Sequence, residues 1–334
     1  MQSWLMNIGE MRRTLVREKV LTVVIPCLNE QETLPEFVKN IISVQGQLPA
    51  VEIELLLVND GSQDLTLSLM RELVQIYPES IEYLSFSRNF GKEAAIYAGL
   101  QHAKGEWVAI MDADLQDPPQ LLVEMYQVLQ DPTVDVVEAR RSTREGEPAL
   151  RSFFANSFYQ IFNAISDTQL GTGARDFRMM RREVAQAVVS LQERNRFAKG
   201  LFSWVGFNVV SIQYPNVQRL AGKTSWSFRS LWDYAIEGLT SFSTLPLTFA
   251  TGSGLVLVLW SLIRGIFLLV NSSANPVLEA KQELLVMLAF IGGLQLLCLG
   301  ILGKYIGKIY REVKERPVYI IKEHHLFKDP QTDS

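Results

Sequence analysis

The sequence predicts an α/β domain followed by two C-terminal transmembrane helices. Short β-rich runs alternate with amphipathic stretches up to about residue 225, and the last quarter carries two long runs that are apolar on every face. Such alternation implies a mostly parallel sheet with helices packed on it. Strands are expected at Leu21–Ile25, Ile53–Val58, Ile81–Phe86, Trp107–Met111, Val134–Glu138 and Asn208–Ile212. Helices are expected at Glu30–Val44, Leu65–Tyr77, Lys92–Ala103 and Pro119–Gln130.

The apolar runs, residues 245–270 and 284–303, each reach the ~20 residues that cross a bilayer core as a helix. A core helix of a soluble domain is normally striped instead. Arg264 lies near the far end of the first run, where a long side chain can reach the interface. The connector, residues 271–283, holds Lys281 as its basic residue, whereas Lys304, Lys308, Arg311, Lys314 and Arg316 follow the second run. This asymmetry places both large ends in the cytoplasm of a multi-pass protein of the inner (plasma) membrane. In residues 227–244, Phe228, Leu231, Trp232, Ala235 and Leu239 recur at helical spacing. That stripe suits a helix lying on the bilayer, and equally one packed on the soluble domain. The expected layout is an N-terminal extension (1–20), a cytoplasmic domain (21–226), an interfacial helix (227–244), the two spans with their outer connector, and a basic cytoplasmic tail (304–334).

Composition narrows the function. The chain of 334 residues is 48% hydrophobic, with net charge −4, mean hydropathy +0.09 and pI near 5.6. Those values speak against a nucleic-acid partner. Two cysteines, Cys27 and Cys298, exclude a disulfide framework, and the N-terminus has no signal-peptide pattern. The histidines, His102, His324 and His325, offer no zinc spacing.

In a parallel sheet, ligands bind beyond the carboxyl ends of the strands. Polar residues gather at those ends here: Pro26-Cys27-Leu28-Asn29-Glu30, Asn59-Asp60-Gly61-Ser62, Ser87-Arg88-Asn89-Phe90-Gly91-Lys92 and Asp112-Ala113-Asp114-Leu115-Gln116. Such residues also form turns and helix caps, the reading that suits Asp64 and Asp117. Asp112 and Asp114, with the neutral oxygen of Gln116, are hard donors suited to Mg2+ or Mn2+ in phosphate chemistry. The arginines of EARRSTREGEPALRSFF read either as a solvated charged loop or as an anion clamp, to which arginine's planar fork is suited.

VVIPCLNE, LLVNDGSQD, SRNFGKEAAIYAGL and MDADLQDPP, in that order, resemble glycosyltransferase family 2, most closely its polyprenyl-phosphate branch of bactoprenol glucosyl transferases and dolichol-phosphate mannose synthase. DFRMMRREV, RFAKGLFSWVGF and LGKYIGKIYREVKERPVY extend the resemblance over about residues 20–320. It implies a GT-A (nucleotide-diphospho-sugar transferase) fold and inverting transfer of a hexose to undecaprenyl or another polyprenyl phosphate. UDP-glucose is the expected donor, with UDP-N-acetylglucosamine, GDP-mannose or a modified arabinose donor as alternatives. Carried over, Pro26, Asn29, Glu30 and Asp60 hold the nucleoside, and Asp112, Asp114 and Gln116 hold Mg2+ or Mn2+ and the diphosphate. Lys92 faces the phosphates or is a surface lysine at a helix start; Ser225 falls in the donor loop, where relatives commonly have lysine. The resemblance places Arg140 and Arg151 on the lipid phosphate, with Arg178, Arg196 and Lys199 as further cations or structural ion-pair partners. Asp176 takes a supporting base or orienting role, although Ala174-Arg175 precedes it where a glycine is usual. The partners implied are a nucleotide-sugar, a polyprenyl phosphate and the bilayer, with homo-oligomerisation open. A processive polysaccharide synthase lacks support, since Q-x-x-R-W is absent. A non-catalytic nucleotide-binding membrane scaffold is the alternative of another class.

Overall fold

The structure, a computed structural model, describes residues 17–141, 174–191, 193–194, 196–214, 245–270 and 276–327. Arg151, Ser225 and the expected interfacial helix 227–244 lie outside the described residues.

An eight-stranded sheet forms the centre: β1 (Arg17–Cys27), β2 (Glu52–Asn59), β3 (Ile81–Phe86), β4 (Gly105–Ile110), β5 (Val136–Arg141), β6 (Ala174–Arg181), β7 (Val209–Tyr214) and β8 (Ile321–His325), in the order β7-β5-β6-β4-β1-β2-β3-β8. Strands β1 to β4 are mutually parallel. Strands β2 to β4 are buried at nearly every position because both faces are covered. On one face pack α1 (Leu34–Val44), α2 (Thr66–Ile76) and α4 (Leu121–Val128); on the other lie α3 (Lys92–His102), α5 (Arg182–Ser190) and α6 (Ala198–Trp204). Helix α1 buries Leu34, Phe37, Val38, Ile41 and Val44, the stripe of an amphipathic helix. Helix α3 carries no such stripe. Its small residues let it lie close on the sheet, and a Cβ at Gly99 would fall 2.0 Å from the Val24 side chain.

The sheet is mostly parallel, as expected, with two strands running against the rest. Strand β6 enters antiparallel between β4 and β5, and β8 pairs antiparallel with the β3 edge. Neither strand was expected. In β6, Asp176, Arg178 and Met180 alternate with Phe177 and Met179, so one face reads as polar. Strand β8, Ile-Lys-Glu-His-His, is a charged edge strand of the kind that resists further pairing. It lies in the expected basic tail, and β1 begins at Arg17 inside the expected N-terminal extension.

Helix α7 (Leu245–Val270) coincides with the first apolar run. Helix α8 (Pro276–Val313) starts within the expected connector and runs past residue 303. Among the described residues, one stretch, Phe290–Val313, is long and apolar enough to cross a membrane by length and composition, where two were expected.

Candidate active site

From β1 the chain proceeds to β2 and β3 on one side, while β4 lies on the other. The loops after β1 and β4 therefore flank a topological switch point, the place where open α/β sheets bind ligands beyond the carboxyl ends of their strands.

The first two loops are interlocked. Asn29, at φ 57, donates its N–H to Ser62 Oγ at 2.9 Å and accepts the Gln63 N–H on Oδ1 at 2.9 Å. The Glu30 N–H reaches Thr66 Oγ1 at 2.9 Å, and Glu30 Oε2 accepts the Thr33 hydroxyl at 2.6 Å. Asp64 accepts from the N–H and hydroxyl of Thr66, two residues on, the turn-forming role its position suggested. Asn29 and Glu30 were expected to contact the nucleoside. Here their polar atoms shape the loop, and Pro26 is held in register with Val58.

Asp60 is buried, and its carboxylate is turned toward the third loop: Oδ1 accepts the Phe90 N–H at 2.6 Å and Oδ2 the Gly91 N–H at 2.9 Å. Burial pushes its carboxyl up, against the pull of these amides and of Arg88. Gly61 makes the approach possible. It sits at φ +69, and a Cβ there would lie 2.4 Å from the Arg88 carbonyl carbon. Gly61→Ala is expected to destabilise the domain by about 2 kcal/mol, visible as a lower melting temperature, because left-handed backbone and overpacking act together.

Lys92 opens α3 and bridges two carboxylates. Its Nζ lies 2.7 Å from Asp112 and 2.5 Å from Asp176. Strand pairing explains the meeting. In the β4/β6 register Trp107 faces Arg181 and Ile110 faces Arg178, so two further residues bring Asp112 beside Asp176. Burial alone would push the Asp176 carboxyl up, but the Lys92 ammonium, then Lys199 and Arg178, hold it well below the usual carboxylate range. Burial likewise opposes the Lys92 charge and is outweighed by Asp176 and Asp112, so the ammonium stays protonated.

On the same loop, Asp114 is buried and its Oδ1 accepts the Gln116 N–H at 3.1 Å. Leu115 between them adopts φ 57, an uncommon backbone for a branched residue. Asp117, buried, accepts a short hydrogen bond from the Tyr214 hydroxyl, which ties the loop to β7. Among the described residues there is no group of three or more histidine, cysteine or acidic residues arranged to hold a metal. By donor chemistry the carboxylates of Asp112 and Asp114 suit Mg2+ or Mn2+, which bind through one or two carboxylates with waters and substrate phosphates completing the shell.

The cations divide. Arg140 is paired with Glu138 through Nε at 2.6 Å, and Ser211 donates to the same carboxylate at 3.0 Å. Glu138, which sequence reasoning passed over, stands directly opposite Arg178 in the β5/β6 register. Arg178 is buried with its guanidinium 4.2 Å from the Phe202 ring. Arg196 is occupied elsewhere: it donates to the carbonyls of Leu191 at 2.6 Å and Val188 at 3.0 Å, closing the end of α5, and lies over the Tyr97 ring.

Glu93 also escaped notice in the sequence. Its Oε2 accepts the Ala198 N–H at 2.8 Å, and burial, then the Asp176 charge, pushes its carboxyl up to about 7. The folded chain thus holds a proton that the unfolded chain, with its ordinary value of 4.5, releases. Its stabilising contribution is complete below about 4.5 and is lost as pH rises through about 7. Glu93→Gln should remove this dependence: melting temperatures match wild type near pH 5, and the variant melts a few degrees higher near pH 8.

The model of glycosyl transferase family 2 matches residues 22–189. The chain is 41% identical over 307 residues to an SfII prophage-derived bactoprenol glucosyl transferase of Shigella flexneri, covering 91% of this chain and 98% of that protein. It is 41% identical over 304 residues to the bactoprenol glucosyl transferase of Shigella phage SfV, covering 90% and 98%. A prophage bactoprenol glucosyl transferase homolog of Escherichia coli is 39% identical over 303 residues, covering 90% and 98%.

Proposed function

The chain belongs to glycosyl transferase family 2, and we propose on that premise that it transfers a hexose, glucose from UDP-glucose first, to a polyprenyl phosphate at a membrane surface. The observation that carries this reading is the Lys92–Asp112–Asp176 cluster at the sheet's switch point, in a chain whose C-terminal helices present apolar side chains outward. Leu255, Ile263, Leu288, Leu296 and Leu299 are each more than half exposed, as suits side chains bathed in lipid. On this reading the domain is a GT-A domain, α7 and α8 are two membrane spans, and the catalytic crevice faces the cytoplasm. The relatives' names support bactoprenol as acceptor and glucose as the sugar.

In the proposed reaction a phosphate oxygen of the lipid attacks the anomeric carbon. The bond from that carbon to the nucleoside diphosphate breaks, the diphosphate leaves with the electron pair, and configuration inverts. The nucleophile arrives charged, since the second ionisation of a phosphate monoester lies near pH ~6, so no strong base is required. Asp176, held far below its ordinary value, is a poor proton acceptor and is assigned the orienting role. Asp112 and Asp114, with Gln116, would hold Mg2+ or Mn2+, which supplies positive charge against the departing diphosphate. Lys92 adds its ammonium on the same side. Asn29, Glu30, Asp60 and Pro26 form the walls of the nucleoside pocket through the loop interlock, and Ser225 is placed at the donor side. Arg140, Arg151, Arg178 and Lys199 are proposed for the lipid phosphate, where guanidinium forks match phosphate oxygens. Arg196 is left out of that set because carbonyls take its donors.

The test is a panel: detergent-purified protein, undecaprenyl phosphate and labelled UDP-glucose, UDP-N-acetylglucosamine, GDP-mannose or a UDP-linked modified arabinose, with the lipid phase extracted and counted. Label in the lipid phase from UDP-glucose above the others supports the full reading. Label from another donor corrects the sugar, and none from any donor favours a nucleotide-binding scaffold.

A further inference from the structure

Helix α8 ends at Val313, and the chain turns at Glu315, φ 51, to return to the catalytic sheet. The return is held on two sides. The Arg194 N–H donates to the Glu312 carboxylate at 3.0 Å, and its Nε donates to the Arg316 carbonyl at 2.9 Å. Beyond that, β8 completes the sheet edge beside β3, with Glu323 bridging Arg71 at 2.6 Å and Tyr83 at 2.5 Å.

Between these anchors sits Tyr319. Its ring stacks on Phe86 at 5.0 Å between centroids and meets Tyr97 edge-on at 6.2 Å. Its hydroxyl donates to Gln101 Oε1 at 2.9 Å, and burial pushes the phenol up to about 12, so it stays a donor at working pH. Phe86 in turn packs edge-on against Phe90 at 5.7 Å, and the next carbonyl after Tyr319, that of Ile320, accepts the Ser87 N–H at 2.9 Å. Residues 87–91 are the loop whose amides grip Asp60 and which delivers Lys92 to the crevice. The segment that follows the apolar helix therefore braces, from behind, the loop that forms the donor side of the site.

We propose that Tyr319 is a positioning residue, through which the end of the membrane helix sets the placement of the 87–92 loop and so the affinity for the nucleotide part of the donor. The proposal rests on the donor-side roles given to Asp60 and Lys92 above. Covering an open sheet edge is the plainer role for this segment. The two roles differ in what a lesion does. Lost edge cover lowers the folded fraction, which reduces apparent kcat and leaves KM unchanged. Lost loop placement raises the KM for donor selectively.

The experiment uses the full-length chain in detergent with Tyr319→Ala, Tyr319→Leu, Tyr319→Phe and Glu323→Gln. The leucine variant keeps apolar volume in case the alanine variant fails to fold, and Glu323→Gln weakens β8 at a point away from the loop. Donor KM, KM for polyprenyl phosphate and melting temperature are measured, together with the Kd for UDP and GDP by calorimetry. Tyr319→Ala or Tyr319→Leu is expected to raise donor KM and nucleotide Kd about 10-fold with the lipid KM unchanged, as a small displacement of positioning groups does. Tyr319→Phe should restore both to within about two-fold, since the ring remains and only one hydrogen bond is lost. Glu323→Gln should lower the melting temperature alone. Unchanged donor KM and nucleotide Kd in the folded alanine or leucine variant would overturn the proposal. A wild-type chain that makes no lipid-linked sugar overturns the proposed reaction instead, and nucleotide Kd then decides on Tyr319 by itself.

Discussion

Asp114→Asn is expected to reduce sugar transfer by ~10³-fold or more while the domain stays folded, because on the proposed reading it removes one of two hard anionic metal donors and the charge stabilisation that depends on them. The hydrogen bond from the Gln116 N–H to Asp114 Oδ1, at 3.1 Å, is one that an asparagine oxygen also accepts. Asp112→Asn should be comparable in rate but should also disturb Lys92, whose Nζ lies 2.7 Å from that carboxylate. Measuring kcat at saturating donor with Mg2+ or Mn2+, alongside melting temperature, separates the two variants. Activity within a few fold of wild type for Asp114→Asn contradicts its assignment.

Lys92→Met carries the second large effect. The ammonium stands between Asp112 and Asp176 and is the largest influence holding the Asp176 carboxyl down against burial. Its removal leaves two neighbouring carboxylates without their shared counter-charge, at the place proposed to admit a nucleoside diphosphate. Turnover is expected to fall by ~10²-fold or more, the scale seen when one electrostatic stabiliser is deleted. Lys92→Arg should recover only part of it, since a planar fork does not replace a point charge held between two oxygens. If Lys92→Met keeps wild-type turnover, the lysine is a surface residue at a helix start and nothing more.

Much of this arrangement can be read from the chain before folding, and the reasons are physical. Strands β1 to β4 announce themselves because both faces of a parallel sheet are covered, which favours apolar runs such as Leu-Leu-Leu-Val at residues 55–58. The same rule locates the polar loops at their carboxyl ends. Strand β6 escaped because the charged Asp176 and Arg178 interrupt its apolar pattern; its alternation with Phe177 and Met179 was the available signal. Strand β8 escaped because an edge strand is charged and its partner, β3, is more than 200 residues earlier, as the Tyr83–Glu323 bond separated by 240 positions illustrates.

At residue level the reading is less sharp. Amides and carboxylates at strand ends serve ligands and loops with the same atoms, so Asn29 and Asp60 look alike whether they touch a nucleoside or hold neighbouring main chain. In the structure Asn29 Oδ1 and the Asp60 carboxylate accept main-chain N–H groups of neighbouring loops. Arg196 looked like a candidate phosphate ligand, yet its donors close α5. Glu93 and Glu138 stand inside quoted segments beside Lys92 and Arg140, which drew the reading, and the Ala198 contact and the strand register give them their place.

The central claim is transfer to a lipid phosphate within this crevice. Its most direct measurement is the incubation of purified wild-type protein with labelled UDP-glucose and Mg2+, offering undecaprenyl phosphate or the corresponding polyprenol as acceptor, with and without EDTA. The account predicts labelled lipid with the phosphate alone, and its loss on chelation. Equal labelling of the polyprenol, or label released only as free sugar, would contradict it.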